Sequence, residues 1–242
     1  MPYAAEPPNA YGVANMAEIV LVASAWHGGW ALAPIARGLR ARGHEVFTPT
    51  LTGLGERSHL AHAGVNLETH IEDVANVLLF ERLSEVILCA HSYAGMVITG
   101  VADRLPERIA SLVYIDAFVP QDKESWWDLA GDRYRQLASD RSRTDGLGVA
   151  PPEHLDRRCV PHPMATFRQA IRLTGRWQDV REKVFVYATG WAETPFTSTY
   201  EALKADPAWT VMTLPTRHDI IRDAPQDVVS IVTGLKGATA SP

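Results

Sequence analysis

Residues 86–101, VILCAHSYAGMVITGV, decide the fold. The apolar run VILCA at residues 86–90 has the length and composition of a buried strand. Ser92 follows this run almost directly, and residues 94–101 continue as a helix that starts with small side chains. A strand, a sharp turn that carries a serine, and a helix together predict a nucleophile elbow, in which the serine hydroxyl is exposed at the edge of a sheet.

The turn departs from the G-x-S-x-G pattern, because Ala90 and Ala94 occupy both glycine positions and Gly95 follows them. These positions need small residues, since the strand and the helix approach each other closely around a strained turn. Alanine adds one methyl group and is the smallest departure from glycine. We therefore interpret Ser92 as the nucleophile, with an ordinary serine in a strand-to-helix turn as the alternative.

Short apolar strands alternate with amphipathic helices on both sides of this turn. Residues 18–25 (EIVLVASA) and 44–51 (HEVFTPTL) have the composition of strands, and residues 32–43 between them have helical spacing of apolar side chains. This β-α-β order predicts an α/β fold with a mostly parallel central sheet flanked by helices. The length of 242 residues suits one such domain.

Residues 120–179 interrupt the alternation, with tryptophans, prolines and many arginines but no strong strand pattern. We interpret this segment as a mainly helical lid, inserted between two parts of the core, residues 18–119 and 180–237. Residues 1–17 contain no basic residue and no apolar stretch of the kind found in a secretory signal. They are predicted to form a flexible leader.

The composition excludes several classes of protein. Hydrophobic residues make up 46% and charged residues 21%, as in ordinary globular proteins. The 23 Lys and Arg against 28 Asp and Glu give a net charge of −5, which offers no footprint for nucleic acid or an anionic membrane. No segment reaches the roughly 18 apolar residues of a membrane span. The expected partner is a small-molecule substrate, and a homodimer stays open.

Cysteine and histidine spacing gives no sign of a metal centre. The two cysteines, Cys89 and Cys159, are far apart and outside any zinc-binding spacing. This usage favours a reducing, cytoplasmic location. No HExxH motif or carboxylate cluster accompanies the nine histidines, so we expect no metal and no cofactor.

A serine nucleophile needs a base. The segment WTVMTLPTRHDIIRDAP at residues 209–225 contains His218 just after a strand and just before a helix, near the C-terminus. In hydrolases with a nucleophile elbow, the base follows the last strand of the sheet. We therefore interpret His218 as the base. The adjacent Asp219 is interpreted as structural, because its side chain should point elsewhere.

The acid that orients the base has two candidates. The usual turn follows the strand VFVYATG at residues 184–190, where Glu193 is the only carboxylate. Asp116 ends the apolar strand LVYID, which should lie next to the strand before Ser92. A buried carboxylate needs a partner, and an imidazole N–H can supply one. We therefore predict Asp116 as the acid, with Glu193 second and a turn or cap role for Asp116 as the alternative.

Two backbone N–H groups are candidates for an oxyanion hole. Tyr93 follows the serine at the helix N-terminus, where the helix dipole favours negative charge. Ala25 lies in the loop SAWHGGW after the first strand, with the Ser24 hydroxyl close by. This loop lacks G-x-G-x-x-G, so a dinucleotide site is disfavoured.

Further side chains are predicted to line the substrate site. An aromatic lid favours an apolar, aromatic substrate moiety, although tryptophans also serve simply to pack a lid onto its core. His27 and His91 flank the expected site. The predicted substrate-binding residues are Ser24, Trp26, His27, His91, Trp126, Trp127 and Trp177.

Six segments form a characteristic combination: WHGGW at 26–30, RGHEVFTPTLTGLGERSHL at 42–60, VILCAHSYAGM at 86–96, LVYIDAFVP at 112–120, KADPAWTV at 204–211 and RHDIIRDAP at 217–225. In these segments the chain resembles the α/β-hydrolase superfamily. More narrowly, it resembles the group of plant methylesterases, hydroxynitrile lyases and bacterial carboxylesterases such as pyrethroid hydrolases. The resemblance covers almost the whole chain after about residue 18.

The resemblance implies an α/β-hydrolase fold and a Ser-His-Asp triad, with Ser92 as nucleophile and His218 as base. Plant members of the group usually carry an Asp after the strand at 184–189, and this chain does not. Bacterial members resemble it in having an Asp at the position of Asp116. The chain also has Ala23 and Ser24 where the group usually has His-Gly.

The expected activity is hydrolysis of a small carboxylic ester, with lactones and thioesters included, through an acyl-enzyme. One alternative is a lyase, or cofactor-free catalysis on an aromatic or polyketide-type substrate with His218 as base. Hydroxynitrile lyases of the group carry a Lys beside the catalytic His, where this chain has Asp219. A second alternative is a non-enzymatic sensor of a small ligand.

Overall fold

The computed structural model describes residues 16–235 of the chain, so residues 1–15 of the predicted leader lie outside it. Ala17, assigned to that leader, is buried, and its N–H donates to Nδ1 of His44 at 3.2 Å. The strands of the central sheet are β1 (Glu18–Val22), β2 (Glu45–Phe47), β3 (Val86–His91), β4 (Ile109–Ile115), β7 (Glu182–Ala188) and β8 (Thr210–Leu214). Two short strands, β5 (Gly148–Val149) and β6 (His162–Pro163), pair antiparallel outside this sheet.

The central sheet has the order β2-β1-β3-β4-β7-β8, and every pair in it is parallel. Parallel strands need a crossover between them, and helices supply it here. The core helices are α1 (Ala33–Arg40), α2 (Leu67–Phe80), α3 (Ala94–Arg104), α7 (Thr197–Ala205), α8 (Ile220–Asp223) and α9 (Pro225–Thr233). The remaining helices are α4 (Trp126–Leu129), α5 (Gly131–Asp140) and α6 (Met164–Arg168).

Apolar cores cover both faces of the sheet. Along β1, Val20 and Val22 belong to the core that contains α2 and α3, whereas Ile19 and Leu21 belong to the core that contains α1 and α9. Successive side chains of a strand point to opposite faces, so a strand covered on both sides is apolar throughout. This explains the uninterrupted apolar runs in the sequence.

We call residues 120–173 the lid. Its two ends meet where the Lys123 N–H donates to the Ile171 carbonyl at 2.9 Å and the Ile171 N–H donates to the Glu124 carbonyl at 2.8 Å. The sequence predicts a lid that extends to residue 179, and residues 174–177 of that segment pack on the core. There, the N–H groups of Thr174 and Gly175 donate to the buried carboxylate of Asp103 at 2.6 and 2.9 Å. The lid combines helices α4–α6 with the hairpin of β5 and β6.

The carboxyl ends of parallel strands meet at one edge of a sheet, where ligands of open α/β sheets bind. The loops after β1, β3, β4, β7 and β8 therefore lie close together. They contain the candidate site residues Ala25, Ser92, Asp116, Glu193 and His218 in that order. Among residues 16–235, no helix is long and apolar enough to cross a membrane.

Candidate active site

Ser92 occupies a strained turn between β3 and α3. Its φ of 58° lies in the left-handed region, which costs a non-glycine residue about 1–3 kcal/mol. Three backbone hydrogen bonds hold this conformation. The Ser92 N–H donates to the Ile115 carbonyl at 3.3 Å, and the Ser92 carbonyl accepts from Gly95 and Phe118, each at 3.1 Å.

Gly95 is the glycine that this turn requires. A Cβ at position 95 would lie 2.0 Å from the carbonyl oxygen of Phe118, which is backbone and cannot swing away. Ala94, at the second glycine position of the motif, is buried in α3 and keeps its methyl group there. The close approach thus falls one residue later than the motif indicates, which explains why alanine is accommodated at position 94.

A continuous hydrogen-bond chain joins the serine, the histidine and the aspartate. Ser92 Oγ lies 3.0 Å from His218 Nε2, and His218 Nδ1 lies 2.7 Å from Asp116 Oδ2. Because a carboxylate only accepts, Nδ1 carries the proton, and Nε2 is then free to accept the serine proton. Asp116 is completely buried, and its Oδ1 accepts the Ala188 N–H at 3.2 Å. The structure therefore brings together the three residues predicted as nucleophile, base and first-choice acid.

Glu193, the second candidate for the acid, lies elsewhere. Its side chain is 66% exposed and forms an ion pair with Arg133 of the lid. Its backbone carbonyl accepts from the Tyr134 hydroxyl at 3.1 Å. Its carboxylate is thus committed to the lid surface and not to His218.

Three rings surround His218. The His91 ring lies 4.7 Å from the His218 ring, and its Nε2–H donates to the His218 carbonyl at 2.8 Å. Burial lowers the pKa of His91 well below its usual value, so this ring is neutral. Trp191 and Phe196 lie 4.6 and 5.8 Å from the His218 ring, measured between ring centres. His91 was predicted from sequence to flank the site, whereas Trp191 and Phe196 were not predicted.

The two predicted oxyanion donors are available. Within the part of the chain that the structure describes, neither the Ala25 N–H nor the Tyr93 N–H has a hydrogen-bond acceptor. Beside them, the Ser24 hydroxyl lies 2.9 Å from His27 Nδ1, which also lies 2.8 Å from the Ala25 carbonyl. Burial lowers the pKa of His27. Ser24 and His27 are thus joined to each other and to the backbone of this loop.

Two of the predicted tryptophans, Trp126 and Trp127, contact other side chains of the lid. Trp126 is buried and stacks on Phe167, with ring centres 4.1 Å apart. The guanidinium of Arg168 lies 3.3 Å from the ring centre of Trp127. Both contacts lie within the lid and help to pack it.

The structure places Trp177, predicted to line the substrate site, at the end of α3 far from Ser92. Its backbone N–H donates to Asp103 at 3.2 Å, at the C-terminal end of α3, and its ring packs near Trp209. Ser92 lies beyond the opposite end of this 11-residue helix, about 15 Å away at 1.5 Å per residue. Trp177 therefore packs against the core, where the chain returns from the lid.

Two buried histidines were not assigned to the site from sequence. His70 and His162 are fully buried, with ring centres 5.7 Å apart. His70 donates to the Thr52 carbonyl through Nε2 at 2.9 Å, so its Nδ1 accepts the Tyr93 hydroxyl at 3.0 Å. Burial lowers the pKa of His70 to about 4 and that of His162 well below its usual value. The partners of His162 are as far as 136 positions away along the chain, so no local pattern could have identified it.

A Ser-His-Asp chain at the carboxyl edge of a parallel sheet, with free N–H groups beside the serine, is the arrangement of α/β-hydrolases. The sequence profile described as "Alpha/beta hydrolase family" matches residues 19–235. The chain belongs to this family. The predicted fold class and subgroup are confirmed.

Among characterised proteins, the chain is similar to the "Carbendazim hydrolyzing esterase" of Nocardioides sp. (strain SG-4G). The two are 39% identical over 241 residues, which cover 91% of this chain and 100% of that protein. The "Pyrethroid hydrolase" of Sphingobium wenxiniae is 32% identical over 105 residues, 43% of this chain and 36% of its own. These relatives agree with the predicted class of carboxylic ester hydrolase.

Solved structures show the same fold. An extracellular α/β-hydrolase from a Paenibacillus species aligns with a TM-score of 0.77 at 21% identity, covering 90% of this chain and 98% of its own. A crystal structure of the pyrethroid hydrolase PytH aligns with a TM-score of 0.77 at 20% identity, covering 94% of this chain and all of its own.

Proposed function

We propose that the protein is a serine hydrolase that cleaves small carboxylic esters through an acyl-enzyme on Ser92. The observation that carries this proposal is the unbroken hydrogen-bond chain from Ser92 Oγ through His218 to the buried Asp116. A serine hydroxyl is a weak nucleophile until a base accepts its proton. The hydrogen-bond chain holds His218 as the tautomer whose Nε2 is free to accept the proton of Ser92.

The reaction has two halves. As Ser92 Oγ attacks the ester carbonyl, its proton passes to Nε2 of His218, and the imidazolium that forms is stabilised through Nδ1–H by Asp116. The C–O bond of the ester then breaks, and Nε2 returns the proton to the leaving alcohol. Water, deprotonated by His218, attacks the acyl-enzyme and releases the acid and free Ser92.

Negative charge on the carbonyl oxygen is stabilised by the N–H groups of Ala25 and Tyr93. Removal of one oxyanion-hole donor typically costs about 10²–10³ in kcat. Neither donor is engaged by another acceptor within residues 16–235, which supports this role. The N-terminus of α3 adds a favourable dipole at the same point.

The substrate is a small ester with an apolar or aromatic moiety. Phe118, Trp191 and Phe196 form an edge-to-face aromatic group next to His218, with Phe118 and Phe196 4.8 Å apart. Such rings favour flat, apolar groups over charged ones. Carbendazim appears in the name of the relative that is 39% identical to this chain. It is therefore a substrate to test beside simple esters.

The lyase alternative is disfavoured by charge. Asp219, next to His218 in sequence, forms an ion pair with Arg222 at 3.1 Å. Its carboxylate would repel a cyanide anion, whereas a lysine there would attract it. A sensor without catalysis would not need the intact hydrogen-bond chain.

We also propose a cytoplasmic location, because Cys89 and Cys159 are both free thiols buried in the fold. Burial raises the pKa of the Cys159 thiol to about 11, which keeps it protonated and unreactive. A homodimer stays a prediction, to be measured by the mass in solution.

The test compares wild type, Ser92→Ala and Glu193→Gln on p-nitrophenyl acetate, p-nitrophenyl butyrate and carbendazim, together with labelling by a fluorophosphonate. Ser92→Ala should abolish hydrolysis and labelling, whereas Glu193→Gln should keep kcat within about twofold because its carboxylate faces the lid surface. Hydrolysis at background by the wild type, with no change in Ser92→Ala, would overturn the proposal. Absence of labelling would then favour a sensor.

A further inference from the structure

The first donor of the oxyanion hole lies in an unusual turn. Residues Ser24–His27 form this turn, closed by the His27 N–H donating to the Ser24 carbonyl at 3.3 Å. Its third residue, Trp26, has a φ of 67°, a conformation that turns normally assign to glycine or asparagine. Ala25, whose N–H is the donor, is the second residue of this turn, so the direction of its N–H depends on a turn that a bulky third residue does not adopt without support.

That support comes from the lid. The Trp26 N–H donates to His162 Nδ1 at 3.2 Å, and the indole N–H donates to the Val149 carbonyl at 2.9 Å. The Trp26 carbonyl accepts from the Val160 N–H at 3.1 Å. Three hydrogen bonds between Trp26 and residues 149–162 therefore hold one strained residue, directly after Ala25.

His162 also contacts the second donor residue. Its ring packs edge-on against the ring of Tyr93, with centres 4.6 Å apart. Because Nδ1 accepts from Trp26, the ring proton lies on Nε2 and is donated to Thr166 Oγ1 at 2.8 Å. The Thr166 hydroxyl in turn donates to the Pro163 carbonyl at 2.8 Å. Burial keeps the pKa of His162 low, so the lone pair on Nδ1 stays available.

We propose that His162 is a positioning residue through which the lid holds both donors of the oxyanion hole, Ala25 and Tyr93, in place. This inference rests on the proposed esterase function. His162 touches no reacting atom. It fixes the turn at Trp26 by a hydrogen bond and the Tyr93 side by ring packing, so seating of the lid and stabilisation of the transition state depend on each other. A misplaced donor weakens binding of the oxyanion but not of the ground-state ester.

Two polar substitutions of opposite reach test the proposal. His162→Asn places an amide oxygen near the position of Nδ1 and keeps an acceptor for Trp26, whereas His162→Gln reaches toward the position of Nε2 and leaves the Trp26 N–H without one. His154→Leu, at an exposed lid histidine, is the matched control. The measurements are kcat and KM for p-nitrophenyl acetate, the Ki of phenylboronic acid, which forms a tetrahedral adduct with the serine, and the thermal midpoint.

We expect His162→Gln to lower kcat about 10–100-fold with KM within twofold, and to weaken the boronate in parallel. His162→Asn should recover only part of this loss, because it keeps the acceptor for Trp26 but lacks the ring that packs against Tyr93, and His154→Leu should match the wild type. Equal kcat values for folded His162→Gln and His154→Leu would overturn the proposal. A loss confined to KM would do the same.

If the His162 variants do not fold, Trp26→Phe serves as the second test, because it deletes the indole bond to Val149 and keeps an aromatic ring and the backbone hydrogen bonds of residue 26. It should lower kcat about 3–10-fold at constant KM, and an unchanged kcat would contradict the inference. Failure of the proposed function is recognised separately. In that case the wild type itself shows no hydrolysis that depends on Ser92.

Discussion

Replacement of Asp116 by asparagine tests which nitrogen of His218 carries the proton in the hydrogen-bond chain from Ser92 to Asp116. In the folded protein Oδ2 of Asp116 accepts from His218 at 2.7 Å, and Oδ1 accepts the Ala188 N–H at 3.2 Å. An asparagine has one acceptor oxygen and one donor NH₂ at this place. The Ala188 N–H can only be satisfied by the oxygen, so the NH₂ group turns to Nδ1 of His218.

The imidazole must then accept at Nδ1 and carry its proton on Nε2, where it cannot take the proton of Ser92. The opposite amide orientation would set the NH₂ group against the buried Ala188 N–H, at a cost of about 1–3 kcal/mol. We therefore expect Asp116→Asn to lower kcat by about 10³–10⁴, the magnitude typical of a triad histidine in the wrong tautomer. Asp116→Ala should be no worse, because it leaves the tautomer free.

The assay is steady-state hydrolysis of p-nitrophenyl butyrate at pH 7.5, with far-ultraviolet circular dichroism to establish that each variant is folded. Glu193→Gln is the matched control, an acid-to-amide change at an exposed carboxylate. A folded Asp116→Asn variant with kcat within tenfold of the wild type would refute the reasoning. So would a Glu193→Gln variant that loses as much activity as Asp116→Asn.

Three further outcomes are expected. Gly95→Ala should lower the free energy of unfolding by about 1–3 kcal/mol or more, because its Cβ would lie 2.0 Å from the Phe118 carbonyl oxygen; urea unfolding measures this, and an unchanged midpoint would contradict it. Trp191→Leu should lower kcat/KM about 3–30-fold, because the indole 4.6 Å from His218 stabilises the imidazolium of the transition state; an unchanged ratio would assign the ring to packing alone. For His70, burial lowers the pKa from the ordinary 6.5 to about 4, so between these values the unfolded chain binds the proton first and stability falls as the pH falls. This residue should contribute about 3 kcal/mol of stability at pH 7 that is lost by about pH 4, and urea unfolding of wild type and His70→Gln across this range should differ in slope; parallel curves would exclude the contribution.

Asp116 and Trp191 reach His218 from the ends of two neighbouring strands. The turn after β7 contains Trp191, whose ring lies tilted against the His218 ring, while Asp116 after β4 binds Nδ1 of His218. Because β4 and β7 are paired in parallel, their carboxyl ends lie side by side. An acid after either strand can therefore reach the same imidazole. In this protein the turn after β7 contributes the Trp191 ring to His218 instead.

Local sequence determined much of this protein. Uninterrupted apolar strands that alternate with helices predicted the parallel sheet, because a strand covered on both faces must be apolar throughout. The serine between β3 and α3, and the histidine after β8, could be predicted because all such turns meet at one edge of the sheet. Asp116 could be preferred over Glu193 because a carboxylate at the end of a buried strand needs a buried partner.

Tertiary structure alone decided the rest. Residues 120–179 have no internal periodicity that reports where their side chains point, so the position of Trp177 at the far end of α3 could not be predicted. His162 reaches Trp26 across 136 positions, and Trp191 meets His218 only because β7 and β8 are neighbours. Contacts between segments distant in the chain depend on how the lid seats on the sheet edge. How the lid packs on the sheet edge depends on contacts between many segments at once. No single stretch of sequence therefore determines it.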